Sequence, residues 1–178
     1  MVVVLLNTGP AQVDQAPVTQ TFTDLLRSWR GDWMWNDVRN SGENLGWVLT
    51  ALQGGTGVWV TDGSFMPELW TDVSGAGWVF YCTKTGKKLA GSFYEESAQA
   101  GSYRAERLGL LAIHLLLAAS TQHFGISTGT TKICCDNEGG LYASSKRSPR
   151  VKAGASQADI DRVARRLSKM LPHNIVYE

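Results

Sequence analysis

Three carboxylates sit at the ends of apolar runs in this sequence: Asp62 in VWVTDGSF, Glu106 in SYRAERLGLL and Asp136 in ICCDNEGG. Each alone has an ordinary reading. Asp62 is a turn former before Gly63, Glu106 a first-turn acid favoured by the helix dipole, and Asp136 an Asx turn or cap. Those readings do not explain a convergence of all three, because like charges repel and raise one another's pKa unless cations lie between them. Hard divalent ions with oxygen ligands resolve that conflict, and Mg²⁺ held by a few carboxylates plus a substrate phosphate is the expected form.

Whether the acids meet depends on the elements that carry them. GVWVTDGS reads as a first strand, AGWVFYCT as a second and KLAGSFYEE as a third, with KTGKK forming a tight hairpin turn around Gly86. SYRAERLGLLAIHLLLAASTQHFG reads as a helix capped by Ser102 and ended by Gly125, with Leu110, Ile113, Leu117 and Leu108, Leu111, Leu115 as adjacent apolar rows. TTKICCD is a fourth, buried strand, and NEGGLYASSK begins a short helix or turn. SQADIDRVARRLSKMLP is an amphipathic helix with Ile160, Val163, Ala164, Leu167, Met170 and Leu171 inward, and HNIVYE is a fifth strand. Crossover helices require strands one, four and five to be parallel, while the hairpins require one to three to be antiparallel. The expected fold is therefore α/β (α+β mixed), with one helix-flanked mixed sheet of five strands, three antiparallel and then parallel. In such a sheet Asp62 and Asp136 end neighbouring parallel strands, and Glu106 shares the sheet-facing side of its helix.

The 178 residues, 43% hydrophobic and 19% charged, suit one domain with a sizeable core. A net charge of +1 excludes a protein that binds polyanions through its overall charge. Any such affinity needs a local patch, and residues 146–169 supply one, with eight of the 17 basic side chains against two acids. Cys82, Cys134 and Cys135 form neither a disulfide set nor a CxxC pair, and His114, His123 and His173 lack ligand spacing. His114, inside an apolar helical run, reads as a satisfied core histidine. MVVVLL has no basic segment before it, and no run approaches the roughly 18 apolar residues of a membrane span. A soluble, unsecreted chain of the cytoplasm or nucleus, with no membrane partner, is expected. Residues 1–53 hold four of the seven tryptophans and one short helical segment, TFTDLLRSWRGDWMW, ended near Gly31. They read as an extension that covers the main domain, residues 54–178, or links it to a longer chain.

TDGS, GAGWVFY, SYRAERLGLLAIHLLL and CDNEGGL, in that order, resemble the ribonuclease H family, above all the version attached to the reverse transcriptases of retroelements. The resemblance covers about residues 57–178. It implies a five-stranded mixed sheet with flanking helices, and it makes Asp62, Glu106 and Asp136 the catalytic metal ligands. It also implies two Mg²⁺ ions, with Mn²⁺ as the alternative, and hydrolysis of the RNA strand of an RNA/DNA hybrid. The implied partners are the hybrid and a reverse transcriptase region of the same polyprotein. Ser64 and Ser102 would bond the substrate backbone, and Lys146 and Arg147 would begin a phosphate-tracking surface. Recognition would rest on 2′-hydroxyls and helix shape, with little sequence preference.

Members of the family carry a fourth acidic residue shortly after the last strand, whereas this sequence stops at Glu178. The domain is accordingly read as truncated there, or as having a weakened second metal site. Asp159 and Asp161 precede the strand and Glu178 is a poor stand-in. Proofreading exonucleases place Asp-x-Glu on the first strand, where this chain has Asp62-Gly63-Ser64, and integrases place their glutamate last. The order Asp, Glu, Asp favours ribonuclease H. The rival reading, from another class, is a catalytically silent nucleic-acid-binding or structural module.

Overall fold

Alternation along GVWVTDGSF gives a strand with two unlike faces: Trp59 and Thr61 are buried on one, and Val60, Asp62 and Ser64 are exposed on the other. The computed structural model describes residues 21–28, 32–42, 44–145 and 157–178. They form α1 (Phe22–Ser28), a 3-10 turn (Asp32–Trp35), β1 (Asp37–Asn40), α2 (Gly46–Gln53), β2 (Gly57–Phe65), β3 (Val73–Cys82) and β4 (Lys88–Glu96). After these come α3 (Ser102–Phe124), β5 (Gly129–Cys134), α4 (Glu138–Ser144), α5 (Ala158–Met170) and β6 (His173–Tyr177).

One mixed sheet runs in the order β1-β4-β3-β2-β5-β6. The β2-β3-β4 meander is antiparallel, and β2, β5 and β6 are parallel. The β3-β4 turn closes at Gly86, whose φ of 73° is the left-handed conformation that glycine adopts without a Cβ penalty. The described sheet has six strands rather than the expected five. The addition, β1, comes from the N-terminal segment and pairs antiparallel with β4, Asp37 opposite Ser92 and Arg39 opposite Ala90. DVRN is four residues long with no apolar alternation, so only the free edge of β4 makes it a strand.

The helices gather on the Trp59 face. α3 lies across β2 and β3, and its Leu110, Ala112, Ile113, Leu116 and Leu117 are fully buried because α1, α4 and α5 close over it. Leu25, Leu26, Trp47, Val48, Ala51 and Leu52, all from residues 22–53, belong to the same core. Trp47 stacks on Phe80 at 5.5 Å, and Phe80 stacks on Trp59 at 4.3 Å.

Two helix details depart from expectation. Ser102 is the first residue of α3 and not its cap; the N-cap is Gly101, held by an N–H bond to Ser74 Oγ at 2.9 Å. On α5 the buried stripe is Ile160, Ala164, Leu167 and Leu171, while Met170 is 66% exposed. The stripe is turned toward Asp161 and Ser168, both buried, because Arg107 and Tyr177 supply polar partners on that flank. Among the described residues no helix is long and apolar enough to cross a membrane.

Candidate active site

Asp62 is held by the pairing of its own strand. It stands opposite Gly77 of β3, and that row continues through Ser92 of β4 to Asp37 of β1. Gly75 and Gly77 put bare backbone beside it, and this open face forms a trough of about 550 Å³ whose lining includes Arg39, Asp62, Ser64, Gly77 and Ser92. β2 and β5 run parallel with Val60 opposite Cys134, the last matched pair, so Asp62 and Asp136 each lie two residues beyond it on adjacent strands. Asp136 follows the end of β5 and is exposed.

Glu106 reaches the same end of the sheet because α3 approaches β2 closely. A Cβ on Gly63 would lie 2.4 Å from Glu106 N and 2.7 Å from Ala105 C, a space no larger residue occupies without moving backbone. One turn on, Gly109 receives Thr61, whose Oγ1 would stand 2.0 Å from a Cβ there. Arg104 anchors the first turn of α3. It is buried, donates to both oxygens of Glu95 at 2.5 and 2.7 Å, and reaches Gln157 Oε1 and Asp159 Oδ2 at the start of α5. Its bonds to Glu95 raise an already high guanidinium pKa and fix the charge. Arg107, also buried, donates to Asp161 Oδ1 at 2.8 Å, to Gly140 O at 3.4 Å and to the Tyr103 hydroxyl. Burial raises the Asp161 pKa and Arg107 opposes that rise.

The link between α3 and the Asp136 loop is Asn137. Its Nδ2 donates to Glu106 Oε2, and its Oδ1 accepts the Gly140 N–H at 2.7 Å, capping α4.

The Cys135 thiol has its pKa raised, first by burial, with a backbone hydrogen bond from Asn137 opposing and the charges of Asp136, Glu106 and Asp62 adding to the rise. Among the described residues, however, no three His, Cys, Asp or Glu side chains stand close enough to form a ligand group for a metal ion. In kind, carboxylate oxygens are the donors that hard divalent cations take, and the three acids lie on two adjacent parallel strand ends and the helix crossing them.

Ser64 is exposed two residues beyond Asp62 and on its face, and Ser102 is exposed at the start of α3. Lys146 and Arg147 lie outside the described residues. Glu178 continues the pairing of β6 beside β5, and its carboxylate is taken by Lys132 Nζ at 2.8 Å. Several neighbours of the site escaped the sequence reading. Arg104 and Arg107, two cations inside an otherwise apolar helix and followed by acids at positions 159 and 161, were a usable signal. Asn137 beside Asp136 was another. Asp37 and Arg39, paired at 2.9 Å with Ser92 bonded to Asp37, enter this face only through β1 and had no local signal.

No protein-family model matches the chain, and no curated protein matches it. Among solved structures the chain is similar to the ribonuclease H1 of the halophilic archaeon Halobacterium salinarum, at 17% identity and a TM-score of 0.50, over 68% of this chain and 84% of that one. The N-terminal RNase H domain of a Mycobacterium tuberculosis protein matches at 21% identity and a TM-score of 0.49, over 68% and 79%. The RNase H domain of PFV matches at 18% and 0.48, over 69% and 78%. Strand order, strand directions and the likeness to the archaeal enzyme agree: the chain has the ribonuclease H fold.

Proposed function

We propose that this chain is a metal-dependent endonuclease that hydrolyses the RNA strand of RNA/DNA hybrids, as part of a retroelement polyprotein that includes a reverse transcriptase. The observation that carries the proposal is that Asp62 and Asp136 each lie two residues beyond the last matched pair of adjacent parallel strands, while α3 packs on β2 with the Glu106 backbone against Gly63. The order Asp, Glu, Asp and the TDGS and CDNEGGL motifs support the retroelement form of the activity.

Asp62, Glu106 and Asp136 would hold the ions, Mg²⁺ or in its place Mn²⁺. When bound, two such ions supply a water nucleophile at neutral pH and neutralise charge on the attacking and leaving oxygens. The chain itself contributes placement. Asp62 is rigid because its strand is paired and packed under α3. The glycine floor beside it admits a nucleic-acid backbone without side-chain obstruction. The Ser64 hydroxyl, exposed on the same face, would donate to a phosphate or 2′-oxygen. Arg39 offers a cation on the same trough, held in place by Asp37.

One observation favours a second reading, a nucleic-acid-binding module without catalysis: no three of the described acidic side chains form a metal-ligand group. A hybrid-cleavage assay with Mg²⁺ separates the two. The wild type is expected to release RNA fragments and Asp62→Asn to lose nearly all of that activity, because a carboxylate that would hold the ions is replaced by a neutral amide. Equal, negligible cleavage by both, with hybrid binding intact, would establish the silent module instead.

A further inference from the structure

Asn137 carries two hydrogen bonds that fix which way its carboxamide points. The Gly140 N–H can only donate, so the atom facing it is Oδ1; the Glu106 carboxylate accepts, so the atom facing it is Nδ2. Each bond requires the orientation that the other requires. The carboxamide also lies close against Gly139 and Gly140. A Cβ on Gly139 would lie 3.3 Å from Oδ1, and one on Gly140 would lie 3.3 Å from both Cγ and Oδ1 and 2.8 Å from Leu110 Cδ1. The two glycines of DNEGG therefore make the space in which the amide lies against the first turn of α4. On the far side of that turn Arg107, the residue after Glu106, donates to Gly140 O and to the buried Asp161. Consecutive residues of α3 thus grip α4 at two points, and Asn137 is the grip that touches the proposed active site.

We propose that Asn137 is a positioning residue, whose locked carboxamide holds the Glu106 carboxylate toward the Asp62 and Asp136 strand ends. Its Nδ2 occupies Oε2 and leaves Oε1 as the oxygen available for a cation. A side chain that only capped α4 would need an acceptor and nothing more; the donor directed at Glu106 is what a cap does not require. This inference rests on the proposed nuclease activity for its catalytic consequence, but the hydrogen bond itself is open to measurement without catalysis.

Two variants of the intact chain divide the roles. Asn137→Ser retains a cap acceptor and is too short to donate to Glu106, whereas Asn137→Ala loses both functions. The Ser variant is expected to melt near the wild type. It should bind Mn²⁺, titrated by water-proton relaxation, ~10- to 100-fold more weakly, the usual effect of losing a partner that orients a metal ligand. In hybrid cleavage, kcat should fall by a similar factor and the Mg²⁺ requirement should rise, with KM for hybrid unchanged. In the wild type, the Asn137 side-chain NH₂ signals in a ¹⁵N–¹H spectrum should shift when Glu106 is replaced by Gln. Insensitivity of those signals to Glu106→Gln would overturn the inference. So would Mn²⁺ affinity of the Ser variant equal to wild type alongside an Asn137→Ala variant that loses only melting temperature. Failure of the wild type to cleave hybrid would count against the nuclease proposal, while the spectrum and the Mn²⁺ titration would still decide the role of Asn137.

Discussion

Arg107 and Asp161 form a pair with both side chains almost wholly out of water, at 3% and 9% exposure. Removing one member leaves the other charged and unpartnered, a loss of about 3 to 5 kcal/mol in comparable sites. Arg107→Ala and Asp161→Ala should each lower stability by about that amount in urea unfolding, and a double replacement by apolar residues of similar volume should recover much of it. A pair that simply added stability would show no such recovery. His114 gives a prediction in pH. It is fully buried, bonded through Nδ1 to Leu110 O at 2.7 Å and through Nε2 to Tyr177 Oη at 2.9 Å, and burial lowers its pKa to about 4. The unfolded chain takes up this proton near the ordinary histidine value, so between there and about pH 4 it binds more protons than the folded chain. Stability from the neutral ring is therefore complete above about pH 6.5 and falls as pH drops toward 4, by about 3 kcal/mol in total. His114→Gln should flatten the dependence of urea midpoints over that window; an unchanged slope would show that carboxylates account for it.

At the scale of elements, the site depends on how closely α3 meets β2. Gly63 and Gly109 are the two contact points, and at both a Cβ would strike atoms of the opposite element. Gly63→Ala must push the backbone at Ala105 and Glu106 away, since no flexible side chain is there to yield. Overpacking of this kind costs about 3 kcal/mol, and here it displaces Glu106 as well. The expected result is a lower melting temperature by circular dichroism together with cleavage reduced far beyond what the population of folded protein explains. Normal activity per folded molecule would show that Glu106 tolerates the shift. The rotation of α5 follows the same logic. Hydrophobic periodicity places Met170 inward, but it is exposed, and the polar partners Arg107 and Tyr177 draw Asp161 and Ser168 in instead. A pattern of apolar residues locates a helix face only to within the pull of a few buried polar pairs.

At the scale of the molecule, the N-terminal segment is packed into the core of the sheet domain. α1 and α2 contribute Leu25, Leu26, Trp47, Ala51 and Leu52, and β1 extends the sheet edge. We propose on that ground that residues 22–53 and 54–178 fold as one unit. A chain beginning at residue 54 would expose Phe80 where Trp47 now covers it. It should show a non-cooperative thermal transition and elute as aggregates in size exclusion; a monomer melting like the intact chain would make the segment a separate cover.

The sequence alone determined five of the six described strands and their directions, and with them that Asp62 and Asp136 follow neighbouring parallel strands and that Glu106 lies early in the long helix. These follow from short-range rules: period-2 alternation, a glycine turn, an apolar helix and the parallel pairing that crossovers impose. Tertiary structure decided what no local pattern encodes. β1 is a strand only because β4 offers an unpaired edge, Arg104 is buried because Glu95 of β4 and the start of α5 close on it, Arg107 because α5 brings Asp161 to it, and Asn137 meets Glu106 only because Gly63 lets α3 settle on β2. Each of these is a contact between residues distant in the chain, whose energy depends on burial and on a partner's geometry, quantities that exist only once the chain has folded.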